Sequence, residues 1–360
     1  MTNRPKNQAL GSSGPFGSSK ALDALNLGPN CLTFLATYRC TAACENCCFG
    51  SHPWIEGRIP QADILRHIRE AADIGTVQLV CFSGGECFLL GDDLIEAIQL
   101  AHSLGLATRC VTNGYWASNG PVAERVLRRF MDAGLTEINF STGDKHAQFV
   151  PVENVIWGTH VAQCLGLTVA IMVELSGSRR TTKQTLVEHP LFNKLVSNDP
   201  SRRPFINESP WVSLDKGCDQ VVYDNGELLN GDTLPRRKGC DSILKDIVVT
   251  PQNDLKICCG ITSEQIPETR LGSLDGVTMQ ELYAQGSDDF LKIWIAVDGP
   301  ERILAWASTI DESIEWENVM SHQCDACLRI YRDERIRRII RDHYPSVVND
   351  VLLRYSLKAT

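Results

Sequence analysis

The feature that most narrows the folds open to this chain is a repeat that starts at Asn30, in which a short apolar run is followed by a segment of helical period that stops at a glycine. The runs are CLTFLATY (31–38), TVQLVCF (76–82), LATRCVT (106–112), LTEINFS (135–141) and LTVAIMVEL (167–175). Each reads as a buried strand. Between them, Ile64, Leu65, Ile68 and Ala72 mark a helix ending at Gly75, and Leu94, Ile95, Ile98 and Ala101 mark one ending at Gly105. Val122, Val126, Leu127 and Phe130 lead to Gly134, and Val155, Ile156, Val161 and Ala162 lead to Gly166. Glycine suits the left-handed residue just past a helix. After a longer first loop the unit recurs about every 30 residues, the size of a βα crossover. Right-handed units of this size build a barrel or an open parallel sheet covered on both faces. Ligands of such sheets gather at the C-terminal ends of the strands.

Directly after the first run stands Cys40-Thr-Ala-Ala-Cys44-Glu-Asn-Cys47, and directly after the second stands Ser83-Gly84-Gly85-Glu86. Three thiolates on one short loop can serve three irons of a cubane and leave the fourth without a protein ligand, and an open position is what catalysis at a metal requires. A zinc knuckle uses the same residues, so spacing alone leaves both open. Glycines at the second strand end admit close approach to the backbone, and Glu86 or nearby carbonyls suit an ammonium group.

Fifteen cysteines in a chain without an export signal point to metal or cluster ligation rather than disulfides. Cys81, Cys110 and Cys164 sit singly in apolar runs and are expected as small core residues. The net charge of −9 repels a phosphate backbone, so no nucleic-acid partner is expected. The basic stretch Arg329 to Arg341 is interleaved with Ile336, Ile339 and Ile340, as on an amphipathic helix with a solvated face. No apolar run approaches the roughly 20 residues of a membrane span, and a cytoplasmic protein with no membrane partner is expected.

The Cys40 and Gly84 motifs, one βα unit apart, resemble those of the radical S-adenosylmethionine superfamily over roughly residues 30–200. The resemblance implies a partial (β/α)6 barrel of the TIM type, a 4Fe-4S cluster on Cys40, Cys44 and Cys47, and S-adenosylmethionine chelated to the free iron. It also implies cleavage to methionine and a 5′-deoxyadenosyl radical that takes hydrogen from a substrate, with an electron donor such as flavodoxin or ferredoxin. Carried onto this sequence, Gly84, Gly85 and Glu86 match the element that receives the cofactor's amino group. Ser141 matches the ribose contact, with Asp144 a second candidate, and Ile171 and Glu174 stand where the fifth strand meets adenine, without the family's glycines. Asn113 reads equally as a pocket residue or a turn residue. Asn46 replaces the aromatic residue common before the third cysteine, and Phe49 is a substitute for it.

Beyond about residue 200 the rhythm breaks, which places a domain boundary near Arg202. WVSLDKGCDQ, VVYDNGELL and IVVTPQNDLKICC read as short antiparallel strands, followed by a helix at Thr278 to Gln285, a helical stretch at 290–308 and a C-terminal helix. Cys324 and Cys327 form a CxxC pair, and Asn253 in the turn before Cys258 replaces the glycine of the auxiliary-cluster domains called SPASM and twitch. The resemblance to the shorter twitch type implies an auxiliary 4Fe-4S cluster on Cys240, Cys258, Cys324 and Cys327. Structural zinc in the same thiolates, and Cys259 in place of Cys258, stay open.

The expected organisation is a tail at 1–29, a barrel core at 30–202, a smaller α+β auxiliary domain at 203–330 and a helical extension at 331–360. Cys218 is a candidate hydrogen donor to a substrate radical, against the plainer reading of an ordinary thiol, and Cys48 is left without a role. The family's associations imply a ribosomally made peptide as substrate, with a cross-link, epimerisation or oxidation as the outcome. The tail leaves no room for a fused leader-binding domain, so a separate leader-peptide-binding protein is expected. The alternatives are a radical dehydrogenase of a small sugar-like or antibiotic-pathway molecule and, in another class, a non-catalytic iron–sulfur or zinc protein.

Overall fold

The computed structural model describes residues 28–175, 179–196, 199–212, 223 and 226–357. Most of the expected tail, the WVSLDKGCDQ segment with Cys218 and most of the VVYDNGELL hairpin lie outside the described residues.

Strands and helices alternate as the repeat predicts. They are β1 (Cys31–Leu35), α1 (Gln61–Ile74), β2 (Leu79–Ser83), α2 (Asp92–Ser103), β3 (Ala107–Thr112), α3 (Gly120–Asp132), β4 (Glu137–Gly143), α4 (Val152–Leu165) and β5 (Thr168–Leu175). Gly75, Gly105, Gly134 and Gly166 all take positive φ at or just past a helix end, the conformation that lets the chain turn back without a Cβ penalty. Two short helices, α5 (Lys183–Glu188) and α6 (Pro190–Leu195), lead to a sixth strand, β6 (Phe205–Pro210), parallel to β5. Six parallel strands in sequential order, with the edges not joined, make a partial (β/α)6 barrel. The parallel sheet therefore runs past the boundary read near Arg202.

Alternation divides the sheet into two faces. Leu32, Phe34, Val80, Phe82, Cys110, Ile138, Phe140, Val169, Ile171 and Val173 pack with the helix residues Ile64, Ile68, Leu94, Leu127 and Ile156 in the main core. Ser83, Asn139, Ser141, Met172 and Glu174 are thereby left to the opposite, concave face. Cys81 and Cys110 are buried, as expected, whereas Cys164 near the end of α4 is exposed, its Sγ 4.0 Å from the His160 ring nitrogens. The apolar run around Cys164 is helical, and a helix turns one position in every few to solvent.

The second half adds to the same sheet. β7 (Asp246–Val249) pairs parallel with β1, β8 (Asp254–Lys256) returns antiparallel to β7, and β9 (Arg270–Ser273) lies antiparallel to β8. The turn between β7 and β8 holds Asn253 at φ 59°, the left-handed position read for it. The helices α7 (Met279–Gly286), α8 (Phe290–Asp298), α9 (Pro300–Ile310), α10 (Gln323–Arg332), α11 (Glu334–His343) and α12 (Val348–Leu357) follow. Gly299 and Pro300 divide the helical stretch read as continuous at 290–308. The basic segment is two amphipathic helices with Asp333 as the N-cap of the second, and Ile336 and Ile340 enter a separate core with Ile257, Trp294, Ile303 and Ile330. No helix among the described residues is long and apolar enough to cross a membrane.

Candidate functional site

The Cys40 loop begins where β1 ends, on the C-terminal rim of the sheet. What fixes it there is the Gly84-Gly85-Glu86 segment at the end of β2. The Gly85 N–H donates to Thr37 O at 2.6 Å, and the Glu86 N–H to Arg39 O at 2.9 Å. A Cβ on Gly84, which has φ 116°, would collide with the Thr37 carbonyl oxygen, and one on Gly85 would collide with that of Arg39. The close approach that requires these glycines is thus made by the chain leading into Cys40.

Glu86 is fully buried. Its carboxylate accepts from Asn113 N–H at 2.8 Å, Thr112 Oγ1 at 2.9 Å and Phe88 N–H at 3.1 Å. Burial pushes its carboxyl up to about 7, with these three donors pulling the other way. The side chain therefore braces the end of β3. Asn113 carries the brace onward: its Nδ2 donates to Thr41 Oγ1 at 3.0 Å and lies 3.5 Å from Cys40 Sγ. Its Oδ1 accepts from Tyr115 N–H at 3.0 Å, the bond of a turn residue, so Asn113 both shapes the turn and touches the cysteine loop.

Cys40 Sγ also accepts from Ala42 N–H, and Cys47 Sγ from Ser51 N–H, each at 3.4 Å. Burial pushes the Cys40 thiol up to about 11, with Glu86 and Cys47 acting in the same direction. It raises Cys44 as well, aided by Glu174, Cys47 and Cys40. Thiols held this close, with Cys40 and Cys44 both raised, favour a cationic occupant that takes them as thiolates. Asn46, between Cys44 and Cys47, is buried with Oδ1 unpaired among the described residues, an acceptor left for a donor on whatever fills the loop.

The other rim positions separate into two kinds. Ser141 faces the concave side, and Asn139 on the same face has a buried, unpaired Oδ1 among the described residues. Ile171, by contrast, sends its side chain into the helix-facing core, so only its backbone is left to the concave face. Asp144 accepts from Arg180 N–H at 3.1 Å and from Thr181 N–H, holding the chain after β5. Glu174, 1% exposed, accepts from Lys145 N–H and pairs with His146 Nδ1 at 2.8 Å. A Cβ on Gly143 would strike Glu174, so this glycine makes room for the carboxylate. The His146 ring meets Trp211 edge-on at 4.8 Å, and Lys145 forms an ion pair with Glu45 of the cysteine loop. His146 and Lys145 carry no motif in the sequence, and only the fold brings them to Glu174.

The second cysteine group forms where β8 ends and α10 begins. Cys258 and Cys324 both approach Gly260, whose added Cβ would lie 3.2 and 3.0 Å from their sulfurs. Burial, then Cys258, raises the Cys240 thiol to about 12, and Cys327 is raised by burial and then by Cys258, Cys324 and Cys240. Cys324 stands in the first turn of α10, where the helix dipole favours a thiolate, and His322 caps that turn by accepting from Cys324 N–H at 3.1 Å. Cys259 is turned elsewhere: its Sγ donates to Asp246 Oδ2 at 2.8 Å and lies 3.2 Å from Ser242 Oγ. Among the described residues no three His, Cys, Asp or Glu side chains close on a single-ion point. A cubane takes one thiolate per iron and asks for no such point.

Residues 34–142 match the family described as the Radical SAM superfamily. YydG of Bacillus subtilis (strain 168), named for peptide biosynthesis, is 26% identical over 117 residues, 32% of this chain and 37% of that protein. A Methanothermobacter thermautotrophicus protein named as a GTP 3′,8-cyclase is 30% identical over 105 residues, 29% of this chain and 32% of that one. The chain thus spans about a third of the length of the curated relatives it matches. Among solved structures, anSMEcpe with bound AdoMet and Cp18Cys peptide shares the fold with a TM-score of 0.53 at 11% identity, over 90% of this chain and 99% of that one.

Proposed function

We propose that this chain, whose residues 34–142 are a radical SAM domain, reductively cleaves S-adenosylmethionine and takes a hydrogen atom from a peptide. The observation that carries this reading is the Cys40, Cys44 and Cys47 loop standing on the barrel rim, tied by Gly85, Glu86 and Asn113 to the next two strands. Bound there, a 4Fe-4S cluster and S-adenosylmethionine supply a 5′-deoxyadenosyl radical. The three cysteines hold the cluster with one iron left open. The Gly84 to Glu86 backbone receives the cofactor's amino group, the Ser141 hydroxyl the ribose, and Asn46 Oδ1 accepts a hydrogen bond from the occupant.

Cys240, Cys258, Cys324 and Cys327 hold the auxiliary 4Fe-4S cluster in this reading, with every iron covered, which suits electron transfer rather than substrate binding. A peptide substrate is supported by the Bacillus subtilis relative's name and by the fold shared with a protein solved with a peptide bound.

The test is anaerobic reconstitution followed by dithionite and S-adenosylmethionine. Methionine and 5′-deoxyadenosine appear in equal amounts with the wild-type chain and are lost with Cys40→Ala, Cys44→Ala or Cys47→Ala. A fully iron-loaded wild type that releases neither product overturns the reading. A mass change in a short peptide encoded beside the gene identifies the substrate class.

A further inference from the structure

Trp54 is 78% exposed, more than any other large apolar side chain among the described residues, yet the segment that carries it is firmly held. Ile59 N–H donates to Ala36 O at 2.9 Å, Thr37 Oγ1 to Gly57 O at 2.8 Å and Cys40 N–H to His52 O at 3.3 Å. These bonds lace residues 52–59 to the chain that leads into the cysteine loop. His52 Nδ1 accepts Trp54 N–H at 3.2 Å, and the two rings lie 5.7 Å apart. The indole borders a cleft of about 390 Å³ whose lining includes Cys44, Glu45, Cys47 and His52. None of Ser83, Asn139, Ser141, Met172 and Glu174 lines it, so the cleft lies apart from the concave face. Arg39, bridged to His52 through the backbone, is exposed and has no ion-pair partner among the described residues. Of the two acidic side chains between Arg39 and Arg58, Glu45 is paired with Lys145, and Glu56 is exposed and outside the lining.

We propose that Trp54, His52 and Arg39 form the docking surface for a small acidic protein that carries single electrons. This rests on the reading that Cys40, Cys44 and Cys47 hold a 4Fe-4S cluster. Reductive cleavage consumes one electron per sulfonium broken, and that electron is brought by a partner from outside the chain. A cluster on Cys44 and Cys47 borders the cleft, which makes the Trp54 side the short way in. In the step the carrier's reduced cofactor loses one electron and the cluster gains one, with no bond made or broken and no proton moved. An indole held out on a braced turn beside an unpaired guanidinium has the composition of a protein-binding hot spot, where Trp and Arg are enriched. The cationic side chain also steers an acidic partner during encounter. A second copy of this chain is the competing occupant that the experiment separates.

The experiment mixes the reconstituted full chain anaerobically with excess photoreduced flavodoxin, or with dithionite as a small-molecule control. Cluster reduction is followed by stopped-flow absorbance and electron paramagnetic resonance, and binding of oxidised flavodoxin by calorimetry. Trp54→Ala slows reduction by flavodoxin about tenfold and weakens its binding to the same extent, while reduction by dithionite is unchanged. Arg39→Gln slows the flavodoxin reaction about threefold at low salt and less at high salt, whereas Glu56→Gln does not slow it. Equal reduction of wild type and Trp54→Ala by flavodoxin overturns the proposal. So does a loss shared with dithionite, which marks damage to the cysteine loop, and so does a wild type that dithionite reduces and flavodoxin does not. A dimer in light scattering that Trp54→Ala dissolves, with flavodoxin binding intact, gives the surface to a second copy and overturns it too. Where Trp54→Ala fails to load iron, Arg39→Gln decides, and a rate equal to wild type at low salt overturns the proposal. The premise is read separately: a wild type with no iron–sulfur signal after dithionite removes the cluster reading itself.

Discussion

The Glu86 carboxylate accepts the backbone N–H of Asn113 at 2.8 Å from a site with no solvent contact, and that bond joins the ends of β2 and β3 beneath the cysteine loop. The carboxyl, raised to about 7 against an ordinary 4.5, holds a proton in the folded chain across a range where the unfolded chain has lost it. Its contribution to stability is therefore full below about pH 4.5 and declines as the pH climbs to about 7, by about 3 kcal/mol. Urea unfolding at several pH values should show that decline in the wild type and a flatter profile in Glu86→Gln. Equal slopes in the two proteins would show that the carboxyl titrates normally.

Glu86→Ala leaves Asn113 N–H, Thr112 Oγ1 and Phe88 N–H without their shared acceptor. A buried donor stripped of its partner costs about 1–3 kcal/mol. The variant should unfold at least about 3 kcal/mol more easily and take up less iron on reconstitution, because Asn113 also touches Thr41 and Cys40.

Gly85→Ala brings a Cβ against the Arg39 carbonyl oxygen, whereas Gly57→Ala meets only open space at φ 101°. Overpacking against backbone costs about 2 kcal/mol or more, and the left-handed conformation alone about 1 kcal/mol. Denaturant midpoints should rank Gly85→Ala as the less stable, and Gly85→Ala alone should lose iron from the first cluster. A Gly57→Ala loss of equal size would mean that contact with the Cys40 segment is not what Gly85 provides.

Cys258 and Cys259 offer a comparison between neighbours. Cys258→Ala should halve the iron content of the reconstituted chain, from about eight to about four, while Cys259→Ala, whose thiol is bonded to Asp246, keeps it. Colorimetric iron and sulfide assays give the answer, and the reverse result moves the ligand to Cys259.

Glu174→Ala removes the acceptor of Lys145 N–H and the partner of His146 Nδ1. In a site this buried the loss should be about 2 kcal/mol, seen as a lower urea midpoint with an unchanged slope. Glu174→Gln, which keeps a carbonyl acceptor, should lose less.

The first five strands were legible because each places buried apolar residues in a short run, continuous in β1 and alternating in β3 and β4, and is spaced by a helical segment. β6 was not: FINESP sits at the sheet edge, with Phe205 largely exposed, and has no apolar signature to find. Asn253 was legible because a left-handed turn constrains one residue's chemistry locally. Asp144 and Glu174 were legible as rim residues, but the protein groups they hold were not. Their partners Thr181 and His146 lie on other rim segments, and no spacing rule connects them. The choice between Cys258 and Cys259 was equally closed to the sequence, because adjacent residues differ only in the direction their side chains leave the chain.

β7 is hydrogen-bonded along β1, with Cys31 opposite Asp246 and Phe34 opposite Val249. The strand that launches the Cys40 loop and the hairpin that leads to Cys258 are thus slats of one floor, with β7 standing between β1 and β8. Any movement that admits a ligand to the rim has to come from the loops, while the sheet itself holds the two cysteine-bearing segments in register.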